Sequence, residues 1–386
     1  MRMIARYISR LSAVSVVGLV AATASGFAQE TIKIGVLLDQ TGRTSFYSLP
    51  VNEGTEMAVE ALNAAGGILG KKVELLLEDD NGRPDLSATK ARKLVEEGVV
   101  AIVSNSNSGA TRQAIGITAE SLTPQLASAN ASETLTTIDN SCFFQLGPVE
   151  SIQISTMLEY AKTQGFKKVA LVGDSSGLSV SVVDEFRKYL NEAGFEIIEE
   201  QLIPAGAQNA IAQMQRVRAA NPEAIFQVAQ MGPQAVQFFQ AYHQLGLTAP
   251  ILGTFNLSTP SYLTTAKDLM DGTVFTDAFD PGKEEAASFA EAYEARFGQA
   301  PSSLQGYGYD SVMLIADAIT RANSTDRAEI CKAISETQGL ARVMGAKGTG
   351  FDFSHGDRRG FHHDGVVVRK IENNAYTPAI FSGADR

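Results

Sequence analysis

Between Ser104 and Gly109 the chain runs Ser-Asn-Ser-Asn-Ser-Gly, placing hydroxyls, side-chain amides and free backbone N–H groups in one short turn. Five apolar, β-branched-rich residues, Val99 to Val103, lead into it, and Ala114, Ile115, Ile117 and Thr118 follow at helical spacing. The first part reads as a strand buried on both faces, the second as a helix beginning near Ser108 or Gly109. Donors at a strand's carboxyl end, beside the positive end of a helix dipole, suit a carboxylate or other anionic group. Ser and Asn are also preferred helix caps, so ordinary capping accounts for Asn107 and Ser108 equally well. Taken alone, the motif leaves both readings open.

Three other patterns could carry chemistry. Gly173-Asp174-Ser175-Ser176-Gly177 matches G-x-S-x-G between an expected strand and helix, the context of a nucleophile elbow. Asp277 or Asp280, and then His355, His362 or His363, follow it in the Ser, Asp, His order of α/β-hydrolases, but no HGGG-type oxyanion segment precedes it. The same three histidines with Asp352, Asp357 and Asp364 could suggest a metal site. They lack the i, i+4 spacing of a helical ligand pair, and neighbouring histidines on a strand point to opposite faces, so a solvated hairpin turn is expected instead. Gly66-Gly67-Ile68-Leu69-Gly70-Lys71 lacks the spacer and the Ser/Thr of a phosphate loop and follows a helix, so it reads as a helix stop. No metal and no cofactor is expected.

The ends and the charge narrow the class. Arg2, Arg6 and Arg10 precede an apolar run, 11–22, too short for a comfortable membrane span, and Gly26-Phe27-Ala28 offers small residues for cleavage. Residues 1–28 are therefore expected to be a cleavable signal peptide, with no Cys near the junction for a lipid anchor. An exported periplasmic protein is the expectation. Cleavage removes three arginines and no acidic residue, moving the formal charge from −11 to −14. An acidic chain without a basic tract argues against nucleic acid and anionic membrane surfaces as partners. A mature chain of this length implies two domains. Cys142 and Cys331 meet an oxidising compartment, where a disulfide and a buried thiol in the helical pattern around Cys331 are equally open.

Positioning these residues requires an alternation of strands and helices. Strands are expected at 32–38, 72–78, from 99, 125–129 and 142–146, with helices at 50–65 and 85–96 between them. A second series follows: helices 151–164, 180–193, 209–220 and 233–245 alternate with strands 168–172, 195–202, 224–229 and 251–253. Two such series imply an α/β protein with two doubly wound parallel-sheet lobes. Helices 284–297, 309–322 and 327–337 are expected to return and cover the first lobe. The tail, 350–371, reads as two strands joined by a polar turn at 354–359.

Thr31-Ile32-Lys33-Ile34-Gly35-Val36 with Thr41-Gly42, Gly54 and Ala58, then Asn63 to Lys71, then Glu78-Asp79-Asp80 with Pro84, resembles the amino-terminal signature of type I periplasmic binding proteins. The nearest branch is that of the leucine/isoleucine/valine-binding proteins that feed ABC importers. The resemblance extends through Gly306-Tyr307-Gly308-Tyr309-Asp310 to Val366-Val367-Val368. It implies a two-lobed clamp with three crossovers, lobe one being 30–147 plus 278–350 and lobe two 148–277 plus 351–386. It further implies a non-catalytic monomer that captures a small carboxylate-bearing solute by closure and delivers it to a membrane permease. A sensing subunit that reports the ligand to a membrane receptor uses the same clamp, and neighbouring genes would separate the two.

Matched residue by residue, the resemblance assigns the ligand's carboxylate to Ser108 on one loop and to Asn130 and Ser132 on the next, with Asn107 beside Ser108 in the binding site and Tyr47 lining the pocket. The second lobe departs from the amino-acid pattern, with Leu178 and Met231-Gly232 where aromatic residues are usual. Phe255 stands where an acidic residue pairs with the ligand's ammonium. A desolvated ammonium needs an anion or strong acceptors. Either Asp277 or Asp280 replaces the missing acid, or the ligand is an amine-free aromatic or aliphatic acid, with Arg43 helping to hold its carboxylate.

Overall fold

The computed structural model describes residues 30–42, 44–105, 107–175, 177–204, 206–228, 233–259 and 261–384. From Ile32 the chain builds β1 (Ile32–Leu38), α1 (Ser45–Ala64), β2 (Val73–Asp79), α2 (Pro84–Glu96), β3 (Ala101–Asn105), α3 (Ser108–Glu120), β4 (Gln125–Ala127) and β5 (Phe143–Gln145). These five strands form one parallel sheet in the order β2-β1-β3-β4-β5. The second series is α4 (Glu150–Thr163), β6 (Lys168–Asp174), α5 (Gly177–Glu192), β7 (Glu196–Ile203), α6 (Ile211–Ala220), β8 (Ala224–Gln227), α7 (Pro233–Gln244), β9 (Ile251–Gly253), α8 (Ser261–Thr265) and β10 (Val274–Asp277). Its parallel strands lie in the order β7-β6-β8-β9-β10, the same winding as the first sheet.

The strands alternate faces, and each face meets helices. Ile34, Ala101, Val103 and Phe144 pack under α10 (Ser303–Ala322) and α11 (Arg327–Ser335), while Leu37 and Ile102 pack under α2 and α3 on the other side. In the second sheet Val172, Ile225 and Phe275 meet α6 and α7, while Val169, Leu171 and Phe226 meet α4 and α5. Both sheets are thus buried on both faces, which is why their strands read as continuous apolar runs. The expected fold class is the observed one. The three late helices, α9 (Glu284–Phe297), α10 and α11, pack on the first lobe as expected.

Helix α10 begins at Ser303, six residues earlier than its sequence suggests. Ser302 caps it: its hydroxyl accepts from Leu304 N–H, and Gln305 Oε1 accepts from the Ser302 N–H at 2.9 Å. Gly308 lies inside the helix because α1 crosses it backbone to backbone, and Gly306 leaves room for Met344, whose Sδ a Cβ there would meet at 2.3 Å. A Cβ on Gly308 would stand 2.0 Å from the carbonyl oxygen of Val51, and one on Gly54 would stand 1.9 Å from that of Gln305. Helix α1 likewise starts before Pro50, accepting the loss of one intrahelical hydrogen bond.

The tail differs from the expected hairpin. After α11, β11 (Leu340–Ala341) pairs with β12 (Gly350–Phe351), whereas β13 (Val367–Glu372) joins the second sheet antiparallel to β10 and is flanked by β14 (Ala375–Tyr376) and β15 (Phe381–Ser382). Phe351 and Phe353 bury in the first lobe and Val368 in the second, so the polar stretch between the two strands is a crossover and not a turn. The chain passes between lobes three times, at 146–149, after β10, and between β12 and β13. Cys142 and Cys331 are disulfide-bonded with Cα atoms 5.3 Å apart, fastening the start of β5 to α11. Among the described residues, no helix is long and apolar enough to cross a membrane.

Candidate ligand-binding site

The loops at the carboxyl ends of β3 and β4 carry the sequence-assigned carboxylate residues, and the structure brings them together. Asn107 caps α3, its Oδ1 accepting from Ala110 N–H at 2.9 Å while its Nδ2 donates to the carbonyl of Gly82. Ser108, the first residue of α3, donates its hydroxyl to Asn130 Oδ1 at 3.1 Å. The same oxygen accepts from the backbone N–H of Ser132 at 3.2 Å. One buried amide thus gathers both loops beside a helix amino end. Capping and ligand binding are compatible here: Asn107 is consumed as a cap, whereas Ser108 and Ser132 stay half-buried.

Tyr47 lies in the first turn of α1, its ring tilted against that of Phe46 with centroids 4.2 Å apart. Across the cleft its ring stands 6.4 Å from that of Phe255, which opens the turn Phe255–Ser258 after β9. The Tyr47 hydroxyl is hydrogen-bonded to Thr259, and burial, reinforced by Tyr262 and Glu150, pushes it well above the usual phenol range. Ser258 and Ser303 share a hydrogen bond of 3.1 Å, a second polar contact between the lobes.

The two aspartates expected to replace the acid at Phe255 differ in how far their carboxylates are engaged. Asp277 is fully buried, with Oδ2 2.8 Å from the guanidinium of Arg369 and Oδ1 accepting from Ala278 N–H. Asp280 Oδ1 accepts from the backbone N–H groups of Gly282 and Ala379. The sequence reading missed Glu150. It opens α4 directly after the first crossover, and its backbone N–H donates to Ala131 between Asn130 and Ser132. Burial, then Glu185 and Glu133, push its carboxyl up to about 7. The available signal was a lone acid at a helix start, where the dipole favours negative charge. Leu178 sits at the start of α5 with its side chain outside the description, and Met231 and Arg43 lie outside the described residues.

The rival constellations are differently arranged. Asp277 is spent on Arg369, and His363 Nε2 lies 3.2 Å from Thr156 Oγ1 and 3.3 Å from Glu159 on α4. His362 bonds the carbonyl of Asp352, and His355 packs edge-on against it. Among the described residues no group of three or more His, Cys, Asp or Glu side chains stands so as to hold a metal ion.

Comparison with known proteins agrees with this fold. Residues 31–373 match the family model described as periplasmic binding protein. A Leu/Ile/Val-binding protein homolog 3 from Brucella melitensis biotype 1 is 27% identical over 317 residues, 81% of this chain and 86% of that protein. A leucine binding protein from Thermotoga maritima MSB8 superposes with a TM-score of 0.77 at 26% identity, covering 92% of this chain and all of that one. A type 1 periplasmic binding protein from Bordetella pertussis Tohama I superposes with a TM-score of 0.75 at 26% identity, covering 90% of this chain and all of that one. The chain belongs to the periplasmic binding protein family, in its type I, Leu/Ile/Val-binding-like branch.

Proposed function

We propose that this protein is the periplasmic substrate-binding subunit of an ABC importer and that it captures an apolar amino acid of the leucine or isoleucine kind. It acts as a monomer, without catalysis, by closing its lobes on the ligand and presenting the closed form to a membrane permease. The observation that carries this reading is the convergence of Ser108, Asn130 and Ser132 at the amino end of α3, under Tyr47 and Phe255 from opposite lobes. The serines and backbone N–H groups take the carboxylate, and the two rings take the apolar body. Glu150 supplies the anion for the ammonium, in place of the acid absent at Phe255. The leucine- and Leu/Ile/Val-binding names of the relatives support the same ligand class.

Phe255 favours one second reading, an amine-free aromatic or aliphatic acid, for which Glu150 would remain protonated. Thermal denaturation of refolded, ligand-stripped protein with L-leucine, L-isoleucine and their amine-free 2-oxo and carboxylic acid analogues separates the two. Binding to the folded state raises the midpoint by mass action. A rise with the amino acids supports the first reading, a rise with the amine-free acids alone replaces it by the second, and no rise with any of them overturns both.

A further inference from the structure

Gln145 ends β5 and is fully buried. Its Nε2 donates to the main-chain carbonyl of Asn130 at 2.6 Å. Asn130 is the residue whose side-chain oxygen gathers Ser108 and Ser132. The backbone of Gln145 is held by the third crossover: its N–H donates to Arg358 at 3.0 Å, and its carbonyl accepts from Gly360 N–H at 2.9 Å. The same crossover grips the chain leaving Ser132. Arg358 donates to the carbonyls of Thr136, Ile138 and Asn140, and Arg359 donates to the carbonyl of Glu133 at 3.1 Å and pairs with its carboxylate at 3.2 Å.

The Oε1 of Gln145 is buried without a hydrogen-bond partner among the described residues. A buried orphan acceptor is destabilising, so an apolar side chain of the same length would fill this space at no greater cost. What the amide adds is the bond to Asn130.

We propose that Gln145 is a positioning residue that ties the Asn130 loop to the stretch 358–360, so that the loop is set in its ligand-receiving position before ligand arrives. This rests on the assignment of Ser108, Asn130 and Ser132 to the ligand. The stretch 358–360 is fastened to the first lobe by these bonds, the backbone of Gln145 is paired with it, and the Asn130 carbonyl is held in turn through Nε2.

The test uses the mature chain with Gln145→Met, which keeps length and removes both the donor and the orphan acceptor. Gln145→Asn, which keeps the amide but not its reach, serves as second variant if the first fails to fold. Hydrogen exchange of ligand-free protein should quicken about tenfold at 129–133, with the sheet core still protected, and L-leucine affinity should fall about tenfold. The denaturation midpoint should stay near wild type, since the losses and gains in buried polar groups offset each other. Unchanged exchange at 129–133, or affinity within twofold of wild type, overturns the proposal, as does a variant that loses stability alone. A wild type that ignores L-leucine counts against the amino-acid reading only, because the exchange measurement needs no ligand and still decides the role of Gln145.

Discussion

The rings of Tyr47 and Phe255 come from opposite lobes and face each other at 6.4 Å with an interplanar angle of 37°. The pair bridges the two lobes and forms an apolar wall beside the polar loops of β3 and β4. Truncating Phe255 to Ala removes most of one wall, a change worth about 2 kcal/mol of apolar burial. L-leucine affinity measured by calorimetry is expected to fall about thirtyfold. Affinity equal to wild type would mean that the ligand's side chain lies elsewhere.

The raised carboxyl of Glu150 predicts that binding of an ammonium-bearing ligand depends on pH. Because burial raises its carboxyl to about 7, the folded protein holds this proton more tightly than the unfolded chain does. That contribution to stability is fully present below the unfolded carboxylate value and is lost as pH rises through about 7. An ammonium-bearing ligand has the opposite preference, since it selects the carboxylate. L-leucine binding should therefore tighten as pH rises from about 6 to about 8, approaching tenfold per unit on the acidic side. Glu150→Gln should flatten the profile and weaken binding at the alkaline end. A variant that keeps the wild-type slope would place the titrating group elsewhere, with Glu133 and Glu185 the next to replace.

Ser108→Ala with Ser132→Ala deletes two hydroxyls from the carboxylate loops while leaving the backbone N–H groups and the Asn107 cap. Each hydrogen bond to a charged group is worth about 1.5–3 kcal/mol, so the pair should cost about a hundredfold or more in affinity. Far-ultraviolet circular dichroism and the ligand-free midpoint should remain those of the wild type. Unchanged affinity in the double variant would refute the assignment of these loops to the ligand.

Much of the fold was legible because both sheets are buried on both faces. The strands Ile32–Leu38 and Ile251–Gly253 and the helix Glu284–Phe297 occur where apolar runs and turn residues place them. The start of α10 was hidden because Gly306 and Gly308 look like loop residues until Met344 is placed beside the first and α1 is laid across the second, and only those contacts show why no side chain fits. The tail misled for a related reason: apolar strands on either side of a polar stretch carry no local record of their partners. In the site, Ser108, Asn130 and Ser132 were visible as cap-like residues in short turns. Glu150 was not, since a single acid at a helix start looks like ordinary dipole pairing. Gln145 was hidden as one polar residue in an apolar strand.

The disulfide is the last feature with a measurable consequence. Cys142 and Cys331 are 189 residues apart, and their bond joins the edge strand β5 to α11 within the first lobe. Closing so long a loop constrains the unfolded chain strongly, and the chain-entropy account gives about 5 kcal/mol. Replacing both cysteines by Ser should lower the urea midpoint of the first lobe by a corresponding amount, with far less effect on the second. Pulsed proteolysis along a urea gradient separates the two, because fragments of the first lobe should appear at lower urea than in the oxidised wild type. Adding a reductant to the wild type should reproduce the shift and should leave the double variant unmoved. Coincident midpoints for oxidised wild type, reduced wild type and double variant would show that the packing of α11 on β5, and not the bond, holds this edge of the first lobe.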